Sequence, residues 1–561
     1  MFVPLLSTAD RVLVAVLTLG WLGCLGSFWL WWLTPAHRAG WPGLVLNTLL
    51  LFYLSVQPAF FFLSANRLRR VDPDVELPRL RIAMVVTRAP SEPWPVAQAT
   101  LIAMFGQHVP YRYHVWLCDE DPTPEILDWC AQYGVLVSTR RDAPDYHRSS
   151  WPRRTRCKEG NLAYFYDTWG YSYYDVVSQF DCDHVPEPTY LAEMIRPFAD
   201  PAVGYVAAPS ICDANAAGSW SGRSRLYREA GFQGPFQAGH VGGLAPTCIG
   251  SHYAVRTEAL REIGGIGPEL AEDFSTAFLL TSAGWEGAFA LNAEAHGDGP
   301  PTFAAMVTQE FQWSRSLATL LYDLCPRHFG RMLWRLRLRF LQSLLYYPLL
   351  VVSAVVGTSL APIAAVTGVP WVNVSYLGFL TRWAMVAVWP LLLLLLLRRR
   401  RLLRPYQSPV ISWEVWLSSF TRWPFVVWGV TAATLQKLWP RPVGFKVTPK
   451  GGTGLESLPT RLVLPFVALA TLLSAAAAIG GPQHHVPGYV LLCLLIATGY
   501  TFAATAICLL HAAETGRVAG VAFGAALRAT ALAPLLAVLA TTPLLVLAYL
   551  SFPIDSLGVL R

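Results

Sequence analysis

From Val12 to Leu33 the chain carries no charged side chain over 22 positions, and this constrains the fold more than any other feature. A helix rises ~1.5 Å per residue, so such a run reaches across ~30 Å of hydrocarbon. Leu44–Leu63, Leu344–Val366, Tyr376–Leu397, Leu462–Ile479, Tyr489–Leu510 and Leu532–Leu550 repeat the pattern and predict about seven transmembrane helices. Composition agrees: 54% of residues are apolar, 22 are tryptophan and only 14% are charged, too greasy for an ordinary soluble enzyme. Between Arg67 and about Pro300 no such run occurs, and charges, glycines and prolines return to globular frequency. That interval is long enough for one soluble domain with its own core.

Basic residues orient the spans. Arg67, Arg69 and Arg70 follow the second run, and Arg398–Arg401 with Arg404 follow the fourth. The short loops at 367–374 and 480–487 carry no lysine or arginine, so the 70–300 domain is expected on the cytoplasmic side of a bacterial-type inner membrane. The net charge of +7 is then largely a topology signal and is not read as nucleic-acid binding. The first run lacks a basic start and a small-residue cleavage site, so a secretory signal is not expected. The ten cysteines form no CxxC pair and are expected to be free thiols.

Within the soluble stretch, short apolar strands alternate with helical patterns: "RIAMVVT" (81–87), "YHVWLCD" (113–119), "GVLVST" (134–139), "DVVSQFD" (175–181) and "VGYVAAP" (203–209). This is the rhythm of an α/β domain with a mainly parallel, Rossmann-like sheet, whose ligands gather beyond the carboxyl ends of the strands. The loops at Thr87–Glu92, Asp119–Asp121, Arg140–Arg141 and Asp181–Asp183 should therefore converge. In "DCDH" (181–184), neighbours along a strand point to opposite sides, so Asp181 and Asp183 share one side and Cys182 the other. Two carboxylates there suit Mg²⁺ or Mn²⁺ bridging to phosphates; a solvated acidic turn is the competing reading. A structural zinc site needs a second ligand pair that Cys182 and His184 do not have.

"CKEGNLAYF" (157–165) puts Lys158 and a glycine at a helix start, where anions bind well. "AEDFSTAFLL" (271–280) opens a helix with Glu272 and Asp273, of which Asp273 could also serve as a cap. "TQEFQWSRSL" (308–317) reads as a helix with Gln309, Gln312, Trp313 and Ser316 on one polar face. A ring flanked by amides suits carbohydrate better than a core.

This order of motifs resembles the processive family 2 glycosyltransferases, in particular bacterial cellulose synthase catalytic subunits. The matching elements are "TRAPSEP", "CDED", "KEGN", "DCD", "AED", "QEFQW" and, late in the chain, "FKVTPKG" (445–451). The resemblance implies a GT-A-type domain carried by an α-helical polytopic membrane protein. It implies that Thr87, Glu92 and Asp119 hold the uridine of a UDP-sugar and that Lys158 assists at the nucleotide. Asp181 would assist the donor sugar, Asp183 would hold the Mg²⁺ or Mn²⁺ on the diphosphate, and Asp273 would be the general base beside the substrate-binding Glu272. Gln309 and Trp313 would position the acceptor. Phe445, Val447, Thr448 and Lys450 match a gating loop, with Thr448 and Lys450 meeting the diphosphate.

The chain departs from the family pattern Gln-x-x-Arg-Trp by placing Gln312 where the arginine stands, and Arg315 is the expected substitute. Alanine replaces threonine at 271, and no RxxxR followed by DxSxxG, the mark of a cyclic-di-GMP module, follows the gating loop. The expected organisation is two spans (1–66), the glycosyltransferase domain (67–300), interface helices (301–340), a transmembrane hairpin (341–404), an interface helix with the gating loop (405–456) and C-terminal spans (457–561). The basic stretch at 327–340 and the tryptophan-rich 413–438 are the expected amphipathic helices, and Arg382 within the fourth run is either a snorkelling end residue or faces a channel. The resemblance implies UDP-glucose polymerised to a β-glucan and passed across the lipid bilayer, and leaves room for a periplasmic or accessory secretion subunit. The rival readings are a hyaluronan-, chitin- or curdlan-like product, a single transfer to lipid, and a catalytically decayed scaffold.

Overall fold

The structure, a computed structural model, describes residues 1–155, 157–440, 454–483 and 486–552. Its helices, in chain order, are α1 (Thr8–Trp32), α2 (Trp41–Ala65), α3 (Lys158–Phe165), α4 (Trp220–Glu229), α5 (Glu272–Ala283), α6 (Phe303–Asp323) and α7 (Trp334–Thr367). They continue with α8 (Tyr376–Arg399), α9 (Trp413–Leu438), α10 (Leu464–Gly480), α11 (Pro487–Val518), α12 (Leu532–Leu539) and α13 (Thr542–Leu550). Further helices include two short ones in the soluble domain, at Trp94–Phe105 and Pro124–Tyr133, and one at Phe523–Thr530 before α12.

The soluble domain is built on seven strands: β1 (Ile82–Arg88), β2 (His114–Asp119), β3 (Leu136–Ser138), β4 (Val176–Asp181), β5 (Val203–Ala207), β6 (His252–Arg256) and β7 (Glu286–Phe289). They lie in the order β7-β5-β6-β4-β1-β2-β3, with β6 antiparallel to both neighbours and every other pair parallel. All of β1 is buried, as its unbroken apolar run requires of a strand covered on both faces. Ile82, Met84 and Val86 pack on one side with Leu101 and Ile126 of the two short helices; Ala83 and Val85 pack on the other with Leu162 of α3 and Ala277 of α5. All five strands read from the sequence are present, and β6 and β7 are additional. The α/β expectation is met.

Six helices are long and apolar enough to cross a membrane: α1, α2, α7, α8, α11 and the stretch Leu532–Leu550, which breaks into α12 and α13. Of the about seven expected, six reach that length among the described residues. The remaining candidate, Leu462–Ile479, forms α10, whose 17 residues fall short. Contacts between helix ends define two ends of the bundle. Asp10 pairs with Arg400 at 2.6 Å and Phe2–Pro4 pairs with Arg69–Val71, on the side of the soluble domain. At the opposite end Arg38 bridges Val372, the Asn373 amide donates to the His37 carbonyl at 2.9 Å, and the Trp371 amide donates to the Tyr489 hydroxyl at 3.2 Å.

One expected interface helix turns out differently, and the other proves to be tied to its neighbours by ion pairs. The stretch 327–340 is no separate helix: α7 starts at Trp334 and runs 34 residues, through the expected boundary at 340. Buried Arg339 donates from Nε to the Ala245 carbonyl at 3.1 Å, so this basic segment grips the soluble domain. Helix α9 is a single 26-residue helix with Trp413, Trp416 and Trp428 exposed. Its charges are spent on the soluble domain and on α6. Glu414 pairs with Arg223 at 2.9 Å and Arg422 with Glu310 at 2.8 Å. Gly429 permits the approach, because a Cβ there would lie 2.0 Å from Ser314 Oγ of α6.

Candidate active site

The register of the parallel strands sets Thr87 opposite both Cys118 and Asp181, and Arg88 opposite Asp119. The acidic loops therefore open on one side of the sheet, as the alternating pattern predicted. Asp119 is fully buried with both oxygens engaged: Oδ2 takes Arg88 Nη1 at 2.7 Å and Oδ1 takes the Asp121 amide at 3.0 Å. Arg88 Nε also donates to the Glu92 carbonyl at 3.0 Å, and the Glu92 carboxylate accepts the Ala89 amide at 2.9 Å. Thr87 Oγ1 donates to the Phe180 carbonyl at 3.1 Å. Thr87, Glu92 and Asp119 are thus brought together, tied by Arg88, which sequence reasoning had not singled out.

Strand β4 ends at Asp181, and Cys182 turns into the core with no exposed surface, its carbonyl accepting Thr100 Oγ1 at 2.6 Å. His184 Nδ1 donates to Asp183 Oδ1 at 3.3 Å, and Nε2 shares a hydrogen bond with Ser210 Oγ at 3.2 Å. Burial opposes a charge on His184, but Asp183 overrides it and pushes the pKa up to about 10. With Nδ1 turned to Asp183 and Nε2 to Ser210, both ring nitrogens of His184 are already engaged. What remains here is hard oxygen, with Asp183 oriented by His184 and Asp181 more open, a donor set that fits Mg²⁺ or Mn²⁺ completed by phosphate and water. Among the described residues no group of three or more His, Cys, Asp or Glu is arranged to hold a metal alone.

Lys158, at the start of α3, donates from Nζ to Asp181 Oδ1 at 2.7 Å and to the Gly250 carbonyl. Burial favours its neutral form, yet Asp181, Glu272 and Asp273 outweigh burial and hold its pKa above the ordinary value. Across from it, burial pushes the carboxyls of both Glu272 and Asp273 well above their usual range, helped for Glu272 by the charge of Asp273. Asp273 does not cap α5 from the N-cap position, which is Ala271; it takes the Phe274 amide at 2.7 Å. Gly250 closes the cluster: a Cβ there would come 3.3 Å from Asp273 Oδ2. Only its position on the chain, far from the acidic motifs, hid it from sequence reading.

Helix α6 reaches this cluster through Ser316, whose Oγ accepts the Ala271 amide at 2.9 Å. The predicted polar face is therefore partly an internal seam: Ser316 is buried, while Gln309, Gln312 and Trp313 are half-buried. The Arg225 guanidinium of α4 lies over the Trp313 ring at 4.9 Å. Arg315 is half-buried, and the charge of Glu269 acts on it. Phe445, Val447, Thr448 and Lys450 lie outside the described residues.

Residues 176–398 match the family model described as "Glycosyl transferase family group 2". Over 242 residues, 41% of this chain, the protein is 25% identical to the cellulose synthase catalytic subunit [UDP-forming] of Xanthomonas axonopodis pv. citri (strain 306). It is 26% identical over 256 residues to cellulose synthase 1 of Komagataeibacter xylinus. The matches span only 30% and 16% of the lengths of those relatives. Among solved structures, a mannosyltransferase of Pyrobaculum calidifontis in complex with GDP-Man and Mn²⁺ aligns with a TM-score of 0.41 at 16% identity, covering 76% of this chain and 99% of that one.

Proposed function

We propose that this chain, which carries a family 2 glycosyltransferase segment, moves a sugar from a UDP-sugar to the growing end of a β-glucan and passes the polymer across the membrane. UDP-glucose is the donor taken first. The observation that carries the reading is the cluster of Lys158, Asp181, Glu272 and Asp273 around Gly250, a buried carboxylate facing a lysine where a leaving group and an acceptor can meet.

In this reading Thr87 and Glu92 line the uridine pocket, and Asp119 fixes the Arg88 guanidinium that walls it. Asp183, held by His184, would carry Mg²⁺ or Mn²⁺, which neutralises diphosphate charge when bound. Lys158 holds Asp181 against the donor sugar, while Trp313 and Gln309 orient the acceptor. Asp273 takes the proton of the acceptor hydroxyl as its oxygen attacks the anomeric carbon. The bond from that carbon to the diphosphate breaks, and UDP leaves with the electron pair, so configuration inverts.

Purified protein given single UDP-sugars with Mg²⁺ or Mn²⁺ should release UDP, and linkage-specific glycanases should digest the product. A different polymer or a single transfer to lipid is the second reading, favoured by Gln312, which brings no charge to the diphosphate. Soluble, low-mass glycolipid product would select it. Absence of UDP release from every donor would leave a scaffold.

A further inference from the structure

Arg225 has no part in the reading so far, yet it lies where that reading needs a cation. It sits on α4 with Nε 3.4 Å from Glu229, which holds the guanidinium in place over Trp313. Leu226, the next residue, packs on Ile211 and Ala216. That same loop supplies Ser210 and Cys212, and the ring of His184 lies 3.2 Å from Ser210 Oγ and 4.0 Å from Cys212 Sγ. His184 in turn holds Asp183. Gly297 backs this arrangement, since a Cβ there would meet the His184 ring at 2.4 Å. One side of α4 thus bears on the shell around Asp183, whose charge acts on Arg225. The guanidinium covers the ring assigned to the acceptor, on a helix whose next residue packs against the loop that holds His184 and, through it, the carboxylate assigned to the diphosphate.

We propose that Arg225 is a donor-positioning residue that meets the diphosphate of the bound nucleotide and, in doing so, leaves the face of Trp313 open to the acceptor sugar. This rests on the glycosyltransferase reading and deepens it. A guanidinium presents paired donors that match phosphate oxygens, and it covers an aromatic face as readily as a sugar does. Moving from ring to phosphate therefore makes donor loading the condition for acceptor stacking. Gln312 can then keep an uncharged contact without leaving the diphosphate short of a cation. Arg315 is then not asked to serve.

The test is binding of UDP and of uridine, separately, to full-length protein in lipid nanodiscs, comparing wild type with Arg225→Gln and Arg225→Lys. A lost charge-assisted contact should weaken UDP by about tenfold or more in Arg225→Gln and leave uridine unchanged. Arg225→Lys keeps a charge and should recover part of the loss. Initial-rate kinetics of wild type should give an ordered pattern, donor first, which relaxes toward random in Arg225→Gln. Equal loss of UDP and uridine in both variants would reveal a merely structural residue and overturn the proposal. So would unchanged UDP affinity in Arg225→Gln. Wild type that binds no UDP would instead overturn the donor reading beneath it.

Discussion

If Asp273 is the base of the proposed transfer it must be ionised to take a proton, and its burial opposes that. Its pKa is raised, so the base is protonated at low pH and the rate should climb with pH through a value above the ordinary carboxylate range of about 4. Lys158 works against that rise, so Lys158→Met should move the acid limb of the pH–rate profile to still higher pH as well as lower the maximum. Asp273→Asn should cut turnover ~10²-fold or more while UDP affinity, measured by calorimetry, persists. Asp183→Asn should nearly abolish transfer, whereas Cys182→Ser should retain it at a stability cost of ~1–3 kcal/mol for a hydroxyl in an apolar core, read as a lower melting temperature. Equal loss in the two variants would count against the hard-oxygen assignment. At this scale the sequence was informative where chemistry follows local periodicity: the alternation that put Cys182 opposite Asp181 also described the turn. It was silent on Arg88, Arg225 and Gly250, which reach the site through tertiary approach and carry no local signature.

Helix α6 joins two systems. Its Ser316 holds the amide at the start of α5, and its Glu310, 1% exposed, receives Arg228 at 2.6 Å and Arg422 at 2.8 Å. Burial would raise the Glu310 pKa, but the two guanidinium groups prevail and hold it below its ordinary value. Glu310→Gln leaves two buried cations facing each other and should destabilise the folded protein by ~3–5 kcal/mol, seen as lost thermal stability with α4 and α9 first to admit protease. An unchanged melting temperature would mean that water compensates the arginines. The sequence placed helices at α6 and α9 but not the pairing between them, because Arg422 finds its partner 112 residues away, beyond any periodicity. The same blindness split α7 at its basic start, where Arg339 was taken as a surface charge and is in fact enclosed by the soluble domain.

For the whole molecule, apolar runs gave the helices, and the contacts among their ends supply a sidedness that the basic clusters had suggested. Reporter fusions or thiol labelling should find residue 370 on the side opposite residues 72–80 and 402. Residue 38 should share the side of 370, since Arg38 bridges Val372. Helix α10 is short by the length rule, yet its start neighbours Thr530 through Leu458 and its end meets Ala365 and Ser551, so a label at 482 should also report with 370. Helix α7, at 34 residues and ~1.5 Å each, is ~50 Å long, well beyond ~30 Å of hydrocarbon. It grips the soluble domain through Arg339, and through Tyr346 it holds Arg422 at 2.6 Å and hence Glu310 on α6. A helix whose apolar run exceeds the bilayer thickness answers a change of lipid thickness by tilting, and this one has the seam of the proposed site tied to its shaft. Under the proposed function, turnover in vesicles of graded acyl length should then pass through an optimum with UDP affinity flat, making the protein a gauge of its membrane.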